Sequence, residues 1–330
     1  MNKLLLLGTG GTIACLPGEN GLEPGLSARE LLGFINIDDA EVDCKDIFAL
    51  DSSNIQPEEW RQMAREIAAA ASEYAGVVVA HGTDTMAYSA CMLSFMLQGI
   101  PIPVVFTGSQ YPIAYPNSDG RTNLSHALIA ARGLPGGVFI CFGGAVMLGC
   151  RAVKVRTTSL NAFESINHPY IGAMVDDRYI HLHTPARAAG EFQYNDNIEP
   201  GVALVKLVPG TSPALFHALP ACGYKGLVVE AFGLGGVHSI RRDHIDAIST
   251  LLTGGMPVVL SSQCLYENST PGVYEVSRSL VAAGILSAYD MTTEAAVTKL
   301  MWALGQTDDI PSIRAIMEKN LCGETGDLLL

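Results

Sequence analysis

The sequence predicts an α/β protein made of two doubly wound parallel-sheet domains, and three observations lead there. Short apolar runs, leucine-rich or β-branched, alternate with stretches whose apolar residues follow helical spacing. The runs are nearly continuous in apolar residues, as strands covered on both faces must be, whereas a sheet with one wet face would alternate. The alternation breaks once, near Met147, and restarts at Val202, so the 330 residues divide into two units, in keeping with roughly 150 residues per domain.

Taken in order, the strands of the first unit are predicted at Lys3–Leu7, Asp46–Leu50, Val77–Ala80, Pro103–Phe106 and Val138–Phe142. Ser27-x-x-Glu30 is a capping box opening a helix through Leu32, because each side chain can satisfy a backbone N–H that the first helical turn leaves without a partner. Pro57, Glu58 and Glu59 suit a first turn, where a missing N–H is harmless and negative charge meets the helix dipole. Trp60, Met63, Ala64, Ile67 and Ala71 then keep helical spacing, and Met86–Leu97 and Asn123–Arg132 read as the next two helices. From Met147 to about Phe192 the chain is polar and hairpin-like, with no strong helix.

The second unit repeats the pattern. A strand runs from Val202 to Val208, a helix lies near Pro213–Cys222, and strand Gly226–Phe232, helix Arg241–Leu252 and strand Pro257–Leu260 follow. Helices near Tyr274–Ala283, Thr293–Leu304 and Ser312–Leu321 complete it, the last stopped by Gly323. The predicted organisation is an N-terminal α/β domain of residues 1–190, a linker at 191–212 rich in Gly, Pro and Asn, and a smaller C-terminal α/β domain at 213–330. Both domains are of the Rossmann or flavodoxin-like kind.

Composition excludes several classes. Charged residues are only 16% and hydrophobic residues 48%, the reverse of a disordered chain. With 20 basic against 33 acidic side chains the formal charge is −13, which argues against nucleic acid, whose phosphates require a basic face. The acidity is spread evenly, with 12 basic against 18 acidic side chains in residues 1–190 and 8 against 15 beyond. A mean hydropathy of +0.27 raises the question of a membrane. The richest apolar stretch, Ala87–Phe106, is cut by Gln98, Gly99, Pro101 and Pro103, short of the roughly 20 residues a spanning helix needs. The four leucines before Gly8 are too few for a secretory segment, and the eight cysteines form no Cys-x-x-Cys pair. Reduced thiols in the cytoplasm are therefore expected, and the sequons at Asn123 and Asn268 are read as chance matches. The apolar excess implies a large core and surface reserved for further copies of the chain.

In an open parallel sheet, ligands sit beyond the carboxyl ends of the strands. The first four predicted strands are followed by Gly8-Thr-Gly-Gly-Thr12, Asp51-Ser-Ser-Asn54, His81-Gly-Thr-Asp-Thr85 and Thr107-Gly-Ser-Gln110. Hydroxyls, glycines and two carboxylates on one edge describe a site for a small polar ligand. The glycine loop carries Ile13 where a dinucleotide fingerprint needs its third glycine, and no Gly-Lys-Ser/Thr occurs. Its glycines instead let backbone N–H groups approach a ligand closely, beside the Thr12 hydroxyl. A neutral threonine needs activation. No Gly-x-Ser-x-Gly or His-Glu-x-x-His motif is present, and His81 reads more readily as structural than as a base. Lys154, in Arg151-Ala-Val-Lys154, is either a surface lysine or a proton relay partnered by Asp84.

Thr9-Gly-Gly-Thr12-Ile-Ala14 and His81-Gly-Thr-Asp-Thr-Met86 resemble the two signature motifs of the bacterial-type L-asparaginases. The Asp51-Ser-Ser loop, Ala87-Tyr-Ser-Ala with Leu93–Leu97, Asp290-Met-Thr and Asn320-Leu-x-Gly-Glu324 resemble the cytoplasmic, type I branch, and the match spans essentially the full chain. The resemblance implies an asparaginase-like fold and hydrolysis of L-asparagine to L-aspartate and ammonia. Thr12 would attack the carboxamide and form a β-aspartyl ester that water cleaves. Thr83, Asp84 and Lys154 would form the second catalytic cluster, Asp84 also holding the α-ammonium. Asp51, Ser52 and Ser53 would surround the α-amino-acid end, and Ser109 would line the amide side. No metal or organic cofactor is implied, and a homodimer or homotetramer is. A carboxylate for the ammonium and neutral donors for the carboxylate are the groups a zwitterion requires.

Two departures are visible. Where many members carry a loop tyrosine supporting the nucleophile, this chain has Leu22 in Gly21-Leu-Glu-Pro24, which leaves either Glu23 or Lys154 to assist Thr12. Glu230 and Gly236 stand where an arginine and an asparagine complete a regulatory asparagine site near Ser262-Gln-Cys264 in some cytoplasmic members, so allosteric control is not expected. The alternatives are the asparaginase-like subunit of the glutamyl-tRNA amidotransferase, which carries an extra N-terminal domain while the first motif here begins at Thr9, and a non-enzymatic sensor on the same sheet. Side activity on glutamine is compatible with such a site, because one methylene is worth only about 1–3 kcal/mol of discrimination.

Overall fold

The computed structural model describes residues 3–19, 21–36, 41–185, 190–273 and 275–326. Two compact units emerge. One runs up to Asp196 and is rejoined by Leu321–Gly323; the other runs from Asn197 to Asn320 and resumes at Glu324. Val202–Lys206 is a strand of the second sheet.

In the first unit, strands Leu4–Gly10 (β1), Val42–Leu50 (β2), Gly76–Ala80 (β3), Pro103–Thr107 (β4) and Gly137–Phe142 (β5) pair in parallel in the order β2-β1-β3-β4-β5. Every residue of β1, β3 and β4 is buried, the physical reason their sequences are apolar without alternation. The hairpin-like region extends this sheet beyond β5 with antiparallel strands Ala145–Leu148 (β6), Gly172–Val175 (β7) and Arg178–His181 (β8). Among the described residues this sheet thus has eight strands, mainly parallel with an antiparallel edge.

The helices of this unit are Ala28–Leu32 (α1), Pro57–Ala70 (α2), Met86–Met96 (α3) and Gly120–Gly133 (α4). The capping box forms as expected: Glu30 N–H donates to Ser27 Oγ and Ser27 N–H to Glu30 Oε2. The stretch that raised the membrane question is α3, buried along nearly its whole length, followed by the central strand β4. Among the described residues no helix is long and apolar enough to cross a membrane.

The second unit is a four-stranded parallel sheet, Val202–Lys206 (β9), Gly226–Ala231 (β10), Val258–Ser262 (β11) and Leu286–Ser287 (β12), paired in sequence order. Its helices are Ala214–Ala218 (α5), His244–Thr253 (α6), Glu275–Ala282 (α7), Thr293–Gln306 (α8) and Ile310–Glu318 (α9). The predicted start of α7 at Tyr274 lies outside the described residues. Leu207, Phe216, Val229, Ile248, Leu260 and Leu280 belong to one apolar core. None of the eight cysteines, all among the described residues, is in a disulfide. Cys15, Cys91, Cys141 and Cys150 are buried, and Cys222 and Cys264 are exposed.

Candidate active site

The strand order of the first unit reverses direction at β1. The chain passes from β1 to β2 on one side, then returns across β1 to β3 on the other. Such a reversal opens a crevice at the carboxyl ends of the two strands, and the two signature motifs follow β1 and β3. Glycine makes their close approach attainable. Gly11 has φ +74°, and a Cβ there would lie 2.2 Å from the Gly82 nitrogen; a Cβ on Gly82 would lie 2.5 Å from Ser52 Oγ. No side chain fits at either position. Thr12, half-buried, opens the short 3-10 turn Thr12–Ala14 one residue beyond this contact, and Thr83 stands one residue beyond it on the facing loop.

The loops are tied by specific bonds. Thr9 Oγ1 donates to the Ala80 carbonyl at 2.8 Å, joining β1 to β3. Asp51 caps the turn Ser52–Asn54, its Oδ1 accepting from the Ser53 amide and hydroxyl. The buried Ser52 hydroxyl accepts from the Asp84 amide at 3.2 Å, and Thr85 Oγ1 donates to the Ser52 carbonyl at 2.8 Å. Ser109, also buried, donates to the Tyr111 carbonyl at 2.5 Å.

Lys154 is held at the second motif. It ends the strand Ala152–Lys154, which pairs with Phe163–Ser165. Its Nζ donates to Thr83 Oγ1 at 2.7 Å and to Asp84 Oδ1 at 2.6 Å, and its side chain is only 17% exposed. The ammonium is thus bound to the second motif across 70 residues of sequence. It is not a surface lysine. Asp84 keeps 63% of its side chain exposed, which leaves carboxylate surface for a second cation. All the sequence-predicted site residues, Thr12, Asp51, Ser52, Ser53, Thr83, Asp84, Ser109 and Lys154, lie in the first unit at the loops just described.

Several residues here carry no motif of their own. Asp119 accepts from the Gln110 and Tyr111 amides, and Asn123 donates to the Gly108 carbonyl, so the loop bearing Ser109 is held by the start of α4. Gln110 Nε2 bridges the Thr157 and Ser159 carbonyls and pins the segment after Lys154. Gln110 was visible in the fourth post-strand loop and Asn123 at a predicted helix start, whereas Asp119 carried no signal beyond its polarity. Asn123 of the first sequon is buried in this network.

His81 is fully buried, and desolvation pushes its imidazole down to about 4 from an ordinary value of 6.5. Above about pH 6.5 the ring is neutral in both folded and unfolded chains. Between pH 6.5 and 4 only the unfolded chain takes up the proton, so folding stability falls as pH drops, by roughly 3 kcal/mol from this group alone. Denaturant unfolding at pH 7 and pH 4.5 should show a smaller acid loss in His81→Asn than in wild type. Equal losses would assign the acid sensitivity to other groups.

Comparison with known proteins identifies the family. The family model described as "Asparaginase, N-terminal" matches residues 3–187, and "Glutaminase/Asparaginase C-terminal domain" matches residues 201–317. The chain belongs to the asparaginase family. Among its asparaginase relatives, the L-asparaginase of Thermococcus kodakarensis is 44% identical, over 98% of each chain. The solved structure of the thermostable L-asparaginase from that organism superposes with a TM-score of 0.93 at 43% identity, covering 98% of this chain and 99% of the other. L-asparaginase I from Vibrio cholerae superposes with a TM-score of 0.86 at 30% identity, again over 98% and 99%. A second group of relatives consists of glutamyl-tRNA(Gln) amidotransferase subunits. The one from Thermococcus kodakarensis is 37% identical over 98% of this chain and 76% of its own length.

Proposed function

We propose that this asparaginase-family chain is an L-asparaginase, hydrolysing L-asparagine to L-aspartate and ammonia through a β-aspartyl ester on Thr12. The observation that carries the reading is the Lys154 Nζ, bonded to both Thr83 Oγ1 and Asp84 Oδ1 beside the loop bearing Thr12. The higher identity to an L-asparaginase than to an amidotransferase subunit supports it.

The chemistry follows from these groups. The Thr12 oxygen attacks the carboxamide carbon, its proton passes through the Thr83–Lys154 pair to the departing nitrogen, and ammonia leaves. Water then attacks the ester carbon, one of its protons passes through the same pair to the Thr12 oxygen as the ester bond breaks, and aspartate is released. Because the Thr83 oxygen accepts from Lys154, its own hydroxyl proton is free to be handed on. The open side of Asp84 takes the substrate α-ammonium, and the Asp51, Ser52, Ser53 loop and Ser109 bound the rest.

Ammonia release from L-asparagine, L-glutamine and D-asparagine, followed in parallel, tests the reading. L-asparagine should be fastest and glutamine slower; binding of asparagine without any ammonia would favour a sensor. The protein is expected in the cytoplasm, and exposed apolar side chains such as Ile240, Leu265, Tyr266 and Val273 support a homodimer or homotetramer.

Leu22 lies in the strand Gly21–Pro24, paired with Cys15–Gly18 and 48% exposed. The Glu23 carboxylate lies against Gly18, where a Cβ would be 2.9 Å from its carboxyl carbon. Leu22→Tyr should change kcat without abolishing it, as measured by ammonia release; a dead variant would show that this ribbon serves the nucleophile differently. In the second unit, Glu230 Oε1 accepts from Thr293 Oγ1, and Gln263 Nε2 donates to the Leu207 and Glu230 carbonyls.

A further inference from the structure

A buried series of hydrogen bonds reaches the turn after β3 from behind. Trp60 on α2 donates its indole N–H to Ser89 Oγ on α3 at 3.0 Å. Ser89 Oγ lies 3.0 Å from His81 Nε2, and His81 Nδ1 lies 2.6 Å from the Gly82 carbonyl oxygen. The chemistry of the two ends assigns every proton. A carbonyl only accepts, so Nδ1 carries the hydrogen. Nε2 of a neutral ring then only accepts, so the Ser89 hydroxyl donates to it and receives the indole N–H in return. His81 and Ser89 are 0% exposed and Trp60 6%. Burial also holds the ring neutral at working pH.

The series ends at a consequential place. Gly82 is the residue whose nitrogen abuts Gly11 on one side and whose Cα faces Ser52 on the other. The backbone held by His81 therefore sets the spacing between the Thr12 loop and the Thr83–Asp84 turn. Its neighbours restrict it further: His81 N–H donates to the Thr107 carbonyl at 2.8 Å, and the ring packs edge-on against Phe106.

We propose that His81 is a positioning residue of the amide-hydrolysing site: an Nδ1–H imidazole, anchored through Ser89, it holds the Gly82 carbonyl and keeps Thr83 and Asp84 in register with Thr12 and Lys154. This role rests on the asparaginase reading. His81 takes no proton in the reaction and acts only through the turn it holds. Imidazole suits the task because it is rigid and carries an acceptor and a donor at opposite ends. Leucine would fill the space with neither bond, whereas asparagine restores a donor near the Nδ1 position.

The test is steady-state ammonia release by folded His81→Leu, His81→Asn, Ser89→Ala and Trp60→Phe proteins, with histidine 15N spectra of the wild type. Since a misplacement of about 1 Å can cost on the order of 10²-fold, His81→Leu should lose kcat by about that factor and His81→Asn should return to within about tenfold of wild type. Ser89→Ala, which frees the ring, should lose about tenfold, and Trp60→Phe, which leaves the Ser89–His81–Gly82 bonds, should keep wild-type kcat. The spectra should show one buried ring fixed as the Nδ1–H tautomer. Wild-type kcat in His81→Leu, no rescue by asparagine over leucine, or an Nε2–H tautomer would overturn the proposal and leave His81 as core packing. If the His81 variants do not fold, Ser89→Ala decides: unchanged kcat overturns the role. A wild type that releases no ammonia from asparagine overturns the reaction and this role together, while an active wild type with indifferent variants overturns the role alone.

Discussion

Thr12→Ala should abolish ammonia release from L-asparagine, with kcat falling on the order of 10⁴-fold or more while the protein keeps its fold. The hydroxyl sits at the start of a short turn whose backbone is set by Gly10 and Gly11, both at positive φ. Its removal leaves those constraints untouched. Lys154→Met should approach the same loss, because groups that act as a unit are not additive and removing one disables the rest. The methionine keeps the length of the side chain but donates to neither Thr83 nor Asp84. Far-ultraviolet circular dichroism would confirm the fold, and a coupled ammonia assay would read the rate. A Thr12→Ala protein retaining more than about a hundredth of the wild-type rate would exclude Thr12 as nucleophile. A double variant no slower than either single one would show that the two act in one step.

The second large effect concerns stability. Lys299 on α8 and Glu324 are both 0% exposed and paired at 2.6 Å. The Lys299 ammonium also donates to the Met317 and Lys319 carbonyls, at 2.9 and 2.7 Å, so each of its three hydrogens has an acceptor. Removing one partner leaves the other charge buried and uncompensated, which typically costs about 3–5 kcal/mol. Lys299→Met and Glu324→Gln should each lower the thermal midpoint by roughly 10 °C. The double variant Lys299→Met/Glu324→Leu should regain much of that, since an apolar pair of similar volume avoids desolvating two charges. Calorimetry of the three proteins checks this, and single variants as stable as wild type would show that the pair contributes nothing net.

Much of the fold was legible before any coordinates. The five parallel strands of the first unit announced themselves because both faces are buried, and the Ser27–Glu30 box and Pro57 placed helix starts through local chemistry. The edge carrying the site was equally readable, since a parallel sheet puts every post-strand loop on one side, and four such loops held hydroxyls and glycines. The antiparallel extension β6–β8 was less so. Those strands are short and partly exposed, and their periodicity is weak.

The roles of individual residues divide along the same line. Strand, helix and loop identity depends on neighbours within a few residues, where apolar spacing and capping act, and the chain's order of amino acids is enough to specify it. Lys154 could be told from a surface lysine only by its meeting with Thr83 and Asp84. His81 could be told from a base only by Ser89 and Trp60 behind it, and Glu324 from a solvated terminus only by Lys299. Each of those meetings joins segments distant in sequence, and none leaves a local signature. What brings them together is the burial of apolar strands and helices, and polar side chains carried into that core must find their partners there.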